Sequence, residues 1–254
     1  MQIEVLGACG GEVPEFRLTS LLLNERLALD AGSLTRALPI ERQAAVRSIV
    51  LSHSHVDHIA SLPFFIENVY PLHREAVAIY ASRATIEGVH RHLFNDTLWP
   101  DFTRLPSDRR SAVRFQEIRA GDPFEVAGIR LTPIPVSHTV PTFGFLLEQD
   151  GRSVLWSSDT GPTEELWRVA RRAPGLEQVF LETSFDNARQ ELADLSQHLT
   201  PRTLARELAK LEVEVPVLLH HLKPASRELI LSEVAELEDP RLGFVEQGRT
   251  YTFG

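Results

Sequence analysis

The chain has 254 residues, 43% hydrophobic and 24% charged, with its 14 glycines and 16 prolines dispersed, which excludes collagenous, low-complexity and disordered classes. A formal net charge of −9 argues against a non-specific nucleic-acid binder, which needs a basic footprint. The single cysteine, Cys9, can form no internal disulfide and fits a reducing compartment.

The opening Met1-Gln2-Ile3-Glu4-Val5-Leu6-Gly7 has no basic leader region, and no apolar run of about 18 residues occurs anywhere. A cytoplasmic protein without a membrane anchor is expected. Ile3 to Leu6 reads as a buried strand running into Gly7-Ala8-Cys9-Gly10-Gly11. Leu21 to Leu23 and Arg26 to Leu29 read as two more, the second leading to Asp30-Ala31-Gly32. Ile49 to Leu51 ends at Ser52-His53. Between 66 and 110 the pattern changes: helix-like segments mix with Phe94, Trp99 and Phe102, as in a helical insertion over the main layers. Strand signals then resume. Ile129 to Val136, broken by Pro133 and Pro135, ends at Ser137-His138, and Val154 to Trp156 ends at Ser157-Ser158-Asp159. Val179 to Leu181 ends at Glu182, and Val215 to Leu219 ends at His220-His221.

Helical segments alternate with these runs. Pro162 precedes an acid-led start at Thr163 to Trp167, Thr200-Pro201 forms a cap for Leu204 to Leu208, and Ser226 is placed to cap Glu228 to Leu237. No segment has linker composition, so one α/β domain of sheet and helix layers over residues 1–254 is expected. Ligands of α/β proteins gather where strands end. The recurrent step from apolar run to polar residue predicts one site fed by several strands.

The strongest signal is His53-Ser54-His55-Val56-Asp57-His58, directly after an apolar strand. In an extended turn, side chains two apart point the same way, so His53 and His55 can share one metal ion. Asp57 and His58 fall where a helix begins near Ile59 and can serve a second ion. Imidazole and carboxylate donors suit zinc, with iron and manganese as alternatives.

This segment resembles the HxHxDH signature of the metallo-β-lactamase superfamily. The resemblance implies a four-layer αββα sandwich with a dinuclear metal site at one edge. It also implies further ligands in a set order: a lone histidine, a bridging aspartate and a final histidine. His138, Asp159 and the His220-His221 pair stand in that order. Neighbours on a strand face opposite ways, so only one of the pair can bind; His221-Leu222 fits the family pattern better. By the family's arrangement His53, His55 and His138 hold one ion, Asp57, His58 and His221 the other, and Asp159 bridges them.

The similarity extends to class II cyclic-nucleotide phosphodiesterases. It runs through Leu29-Asp30-Ala31-Gly32, the segment His92 to Phe102, Glu182-Thr183-Ser184-Phe185, His198-Leu199-Thr200-Pro201 and His221-Leu222-Lys223-Pro224. Two close metal ions lower the pKa of a shared water from 15.7 to about 7, so metal-bound hydroxide can attack phosphorus. The resemblance therefore implies hydrolysis of a small-molecule phosphodiester, 3′,5′-cyclic AMP or GMP, to the 5′-monophosphate. Asp57, Glu182 and His198 are the expected catalytic residues: Asp57 as a ligand, His198 as proton donor to the leaving oxygen, Glu182 as the group fixing its tautomer. Asn95, Trp99 and Asp101 are candidate substrate contacts, and a homodimer is expected by resemblance. The alternatives are a superfamily hydrolase of lactones, thioesters or other small esters, and a tRNA 3′-processing nuclease. The nuclease type carries a long arm where this chain has only Thr139 to Ser158.

Overall fold

A computed structural model of the protein describes residues 1–104 and 111–254. The first sheet draws on β1 (Gln2–Gly7), β2 (Ser20–Leu23), β3 (Leu27–Leu29), β4 (Ser48–Val50), β5 (Val77–Ala81) and β6 (Val113–Glu117). The second holds β7 (Phe124–Val126), β8 (Ile129–Pro135), β9 (Phe143–Gln149), β10 (Arg152–Trp156), β11 (Leu176–Glu182), β12 (Val217–His220) and β13 (Leu242–Phe244), while β14 (Thr250–Thr252) returns to the first. Among the described residues the strand orders are β14-β1-β2-β3-β4-β5-β6 and β13-β12-β11-β10-β9-β8-β7. Pairing is parallel from β3 to β6 and from β10 to β13, and antiparallel in the other half of each sheet.

The helices are α1 (Leu34–Ala37), α2 (Ile40–Gln43), α3 (Val56–Ile59), α4 (Leu62–Val69), α5 (Arg83–His92), α6 (Glu165–Ala170), α7 (Gln190–Ser196), α8 (Pro201–Leu208) and α9 (Arg227–Ala235). Strand alternation sorts the apolar side chains into three layers. Leu21, Leu23, Leu27, Leu29, Phe145, Leu147, Val154 and Trp156 point between the sheets. Leu22, Ala28 and Ile49 point outward beneath Leu34 of α1 and Phe65 and Ile66 of α4. Leu146, Leu155, Val179 and Leu219 point outward beneath α6, α8 and α9. Helix, sheet, sheet, helix is therefore the layering, and it explains why the central strands read as continuous apolar runs: both faces are covered.

The stretch 66–110 supplies α5 but also β5, a strand of the first sheet, and residues 105–110 of it lie outside the described residues. Thr200 caps α8 in a capping box with Thr203, with Pro201 in the first turn, as its sequence predicts. Ser226 makes no side-chain cap on α9; its Oγ accepts instead from Arg189 at 3.2 Å. Among the described residues no helix is long and apolar enough to cross a membrane.

Candidate metal centre

Strands β3 and β4 of the first sheet, and β8, β10, β11 and β12 of the second, deliver their C-terminal ends to one edge. After β4 the chain bends at Ser52 and is extended at His55, the N-cap of α3, with φ −64° and ψ 147°. His53 and His55 therefore share a direction, with ring centroids 4.7 Å apart. The helix begins at Val56, so Asp57 and His58 lie in its single turn and face the same cleft edge.

All seven residues expected as ligands come together. His53, His55, His138 and Asp159 offer donor atoms within 4.8 Å of one another; Asp57, His58, Asp159 and His221 form a second such group. Asp159 belongs to both. Its Oδ1 lies 3.3 Å from His58 Nε2 and its Oδ2 3.3 Å from His221 Nε2 and 3.7 Å from His53 Nε2. Asp57 Oδ2 is 3.2 Å from His221 Nε2.

The donor set fits a pair of divalent cations. His53 Nε2, His58 Nε2 and Asp159 Oδ1 are buried without a hydrogen-bond partner, which costs free energy unless something positive joins them. Burial, then the charge on neighbouring His58, holds the His53 imidazole far below its ordinary pKa and so leaves it a lone pair. Burial opposes a charge on His58 too, but Asp159 and Asp30 outweigh it and raise its pKa. Burial likewise pushes Asp159 up, and the opposing charges of His221 and His58 bring it well below the usual carboxylate range. For Asp57 a hydrogen bond from His221 overcomes burial in the same direction. The cluster is a buried carboxylate field tuned to attract positive charge.

Residues behind the candidate ligands fix their rings. Asp30 follows β3 with φ +59°, a left-handed turn that an L-residue adopts at a cost. That turn places Asp30 Oδ2 2.8 Å from His58 Nδ1, which fixes the ring with Nε2 toward the cluster. Ser52 donates its backbone N–H to Asp30 Oδ1 and its hydroxyl to Oδ2, both at 2.8 Å, and its Oγ lies 3.0 Å from His53 Nδ1.

His220 and His221 are placed differently, and His221 is the one grouped with the candidate ligands. His220, the last residue of β12, points between the sheets and stacks on Trp156, with ring centroids 3.9 Å apart and planes at 14°. It packs; it offers nothing to the cluster. His221 has φ +64°, which turns its ring out of the strand pattern and toward Asp57 and Asp159. Gly10 makes room for that ring, because a Cβ there would lie 2.8 Å from His221 Nδ1.

Beside the cluster, His198 Nδ1 donates to Glu182 Oε1 at 2.6 Å, and its ring lies 5.0 Å from that of His138. Both His198 and Glu182 are buried. Burial disfavours a charged His198, yet the charge and hydrogen bond of Glu182 outweigh it and raise its pKa.

The expected substrate contacts Asn95, Trp99 and Asp101 lie together on the loop that follows α5. Asn95 Oδ1 accepts from the backbone of Thr97 and Leu98, while its amide donates to Arg91 O. Asp101 accepts from Thr103 and Arg104. These two side chains build the loop after α5, and their expected polar atoms are engaged there. Trp99 packs edge-on to Phe64 of α4 at 5.0 Å, and Phe94 is buried against Phe102. The aromatics of this segment form core between loop and helix layer.

Asp30, Ser184 and Lys223, which the sequence places in segments carrying the resemblance without assigning them a role, also reach the cluster residues. Lys223 Nζ donates to Gly10 O at 2.6 Å and stands 4.0 Å from Asp57 Oδ2.

Comparison with known proteins agrees with this geometry. A family model described as a beta-lactamase superfamily domain matches residues 26–221. A probable 3′,5′-cyclic-nucleotide phosphodiesterase of Yersinia pestis is 29% identical, the alignment covering 99% of this chain and 89% of the relative. A 3′,5′-cyclic-nucleotide phosphodiesterase of Aliivibrio fischeri is 24% identical over 98% of this chain and 91% of its own. Among solved structures, unliganded yeast PDE1 superposes with a TM-score of 0.81 at 18% identity, over 98% of both chains.

Proposed function

Because this chain belongs to the beta-lactamase superfamily, we propose that it is a metal-dependent phosphodiesterase hydrolysing 3′,5′-cyclic nucleotides to 5′-monophosphates. One observation carries the reading: two four-donor groups share Asp159, and a buried Glu182–His198 pair stands beside them. The full-length similarity to two bacterial proteins named for that activity supports it.

His53, His55 and His138 would hold one ion, Asp57, His58 and His221 the other, with Asp159 contributing to both. Two bound divalent ions, zinc being the best match for an imidazole-rich set, supply Lewis acidity toward phosphoryl oxygens and acidify water at neutral pH. The protein's own share is positioning and proton supply. Glu182 holds the Nδ1–H of His198, so Nε2 is the nitrogen that faces outward from the pair. In its protonated form His198 donates from Nε2 to the departing 3′ oxygen, which cannot leave as a bare alkoxide.

The chain between His138 and Asp159 is chiefly the β9–β10 hairpin, closed at Asp150-Gly151. That connection gives no arm with which to grip a folded RNA and favours a small substrate. The test is turnover of cAMP and cGMP by purified, zinc- or manganese-loaded protein, with and without chelator. Chelator-sensitive release of the 5′-monophosphate is expected. Absence of turnover with both nucleotides would sink the proposal.

A further inference from the structure

Ser184 lies two residues past the end of β11, fully buried, and its hydroxyl touches both halves of the site. Oγ is 3.0 Å from His221 Nδ1, 3.0 Å from Glu182 Oε2 and 3.1 Å from His198 Nδ1. One hydroxyl has one proton to give, so the directions of these bonds can be assigned. His221 faces the cluster through Nε2, at 3.2 Å from Asp57 and 3.3 Å from Asp159. A ring that ligates through Nε2 carries its hydrogen on Nδ1, and that N–H points at Ser184 Oγ. Ser184 then accepts from His221 and donates onward. Two acceptors are in reach, Glu182 Oε2 at 3.0 Å and the carbonyl of His221 at 3.2 Å. The carboxylate is nearer and is the stronger acceptor. The proton of His198 Nδ1 is already given to Glu182 Oε1 at 2.6 Å.

We infer that Ser184 is a positioning residue that ties the metal-ligand candidate His221 and the proton donor His198 to one carboxylate. The chain of bonds runs from His221 Nδ1–H to Ser184 Oγ–H to Glu182, whose other oxygen receives His198. Glu182 is thus shared: it orients His198 directly and His221 through the hydroxyl. Asp30 repeats the arrangement on the other sheet, meeting His58 Nδ1 directly at 2.8 Å and His53 through the hydroxyl of Ser52. Backbone donors complete the carboxylate, with Thr160 N at 3.1 Å on Oε1 and Leu199 N at 3.4 Å on Oε2. Gly10 lies against the same ring, where a Cβ would stand 2.8 Å from His221 Nδ1.

The inference rests on the ligand role proposed for His221, and its test separates the two. Zinc binding is measured by competition with a chromophoric chelator in the wild type, Ser184→Ala, Ser184→Cys, Ser184→Thr and His221→Ala. The wild type binds two equivalents and His221→Ala loses one; failure of that result overturns the ligand assignment. Given that result, Ser184→Ala and Ser184→Cys weaken one of the two equivalents roughly 10- to 100-fold, the usual effect of removing a partner behind a ligating histidine. Ser184→Thr keeps the hydroxyl and restores tight binding of both. Unchanged affinity in the alanine and cysteine variants overturns the inference. Equal loss in the threonine variant overturns it too, since packing and not the hydroxyl would then be responsible.

Discussion

At the scale of single residues, His198 and Glu182 make the sharpest predictions. Replacing His198 by alanine leaves the seven candidate ligands in place, so bound metal should be unchanged. The rate constant kcat should fall by about 10²- to 10⁴-fold, the usual contribution of a positioned acid. Metal analysis beside steady-state kinetics checks both halves. A pH profile tests Glu182. Burial lowers the pKa of His198, but Glu182 more than offsets that and leaves it raised. A donor with a raised pKa keeps its proton to higher pH, so activity is lost as pH climbs through that raised value. Glu182→Gln removes the charge that raises it; the alkaline limb of log kcat should move to lower pH. A limb that stays in place would show that His198 is not the proton donor.

Asp30 shows why part of the site was hidden from the sequence. The motif at His53 to His58 is local, so its spacing alone exposes it. Asp30 reaches His58 only because β3 and β4 pair in register, Leu29 opposite Val50, a relation that spacing along the chain does not contain. His220 and His221 pose the same difficulty in miniature: strand alternation separates them, but only the positive φ of His221 says which way the second one turns. Asp30→Ala should weaken metal binding roughly 10- to 100-fold by freeing the His58 ring, as measured by chelator competition.

At the scale of elements, the legible strands were central ones, though buried β9, whose Phe143–Gln149 run ends on polar residues, was not among them. Strands β14, β6, β13 and β7 are the four sheet edges, and none produces an apolar run because each is half-exposed. Strand β5 is buried, yet its Val77–Ala81 run lies inside a stretch whose other signals are helical. Glycine at element junctions carries equal information. A Cβ on Gly32 would collide with Asp57 O and lie 2.7 Å from Thr19 O, so the turn after β3 and helix α3 touch backbone to backbone. Gly32→Ala must push α3 away and carry Asp57 and His58 with it. Overpacking of this kind costs about 1–3 kcal/mol. Chemical denaturation should show that loss, together with weaker metal binding than the wild type.

At the scale of the whole molecule, the candidate ligands divide between the sheets. His53, His55, Asp57 and His58 follow β4 of the first; His138, Asp159 and His221 follow β8, β10 and β12 of the second. Two bound ions would therefore clamp the sheets together along one edge, where the inter-sheet apolar layer gives way to polar groups. Without ions the edge retains pairings such as His58 with Asp30, so the protein should still fold. What it loses is the linkage term, about 2.7 kcal/mol per site when free metal stands at 100 times Kd. The melting temperature should fall on chelation and rise again with the logarithm of free zinc. Hydrogen exchange should locate the difference at both sides of the clamp, after β4 and after β10 and β12, while the far ends of the same strands stay protected. Equal melting temperatures with and without zinc, or exchange that changes on one sheet alone, would mean that the ions do not bridge the sheets.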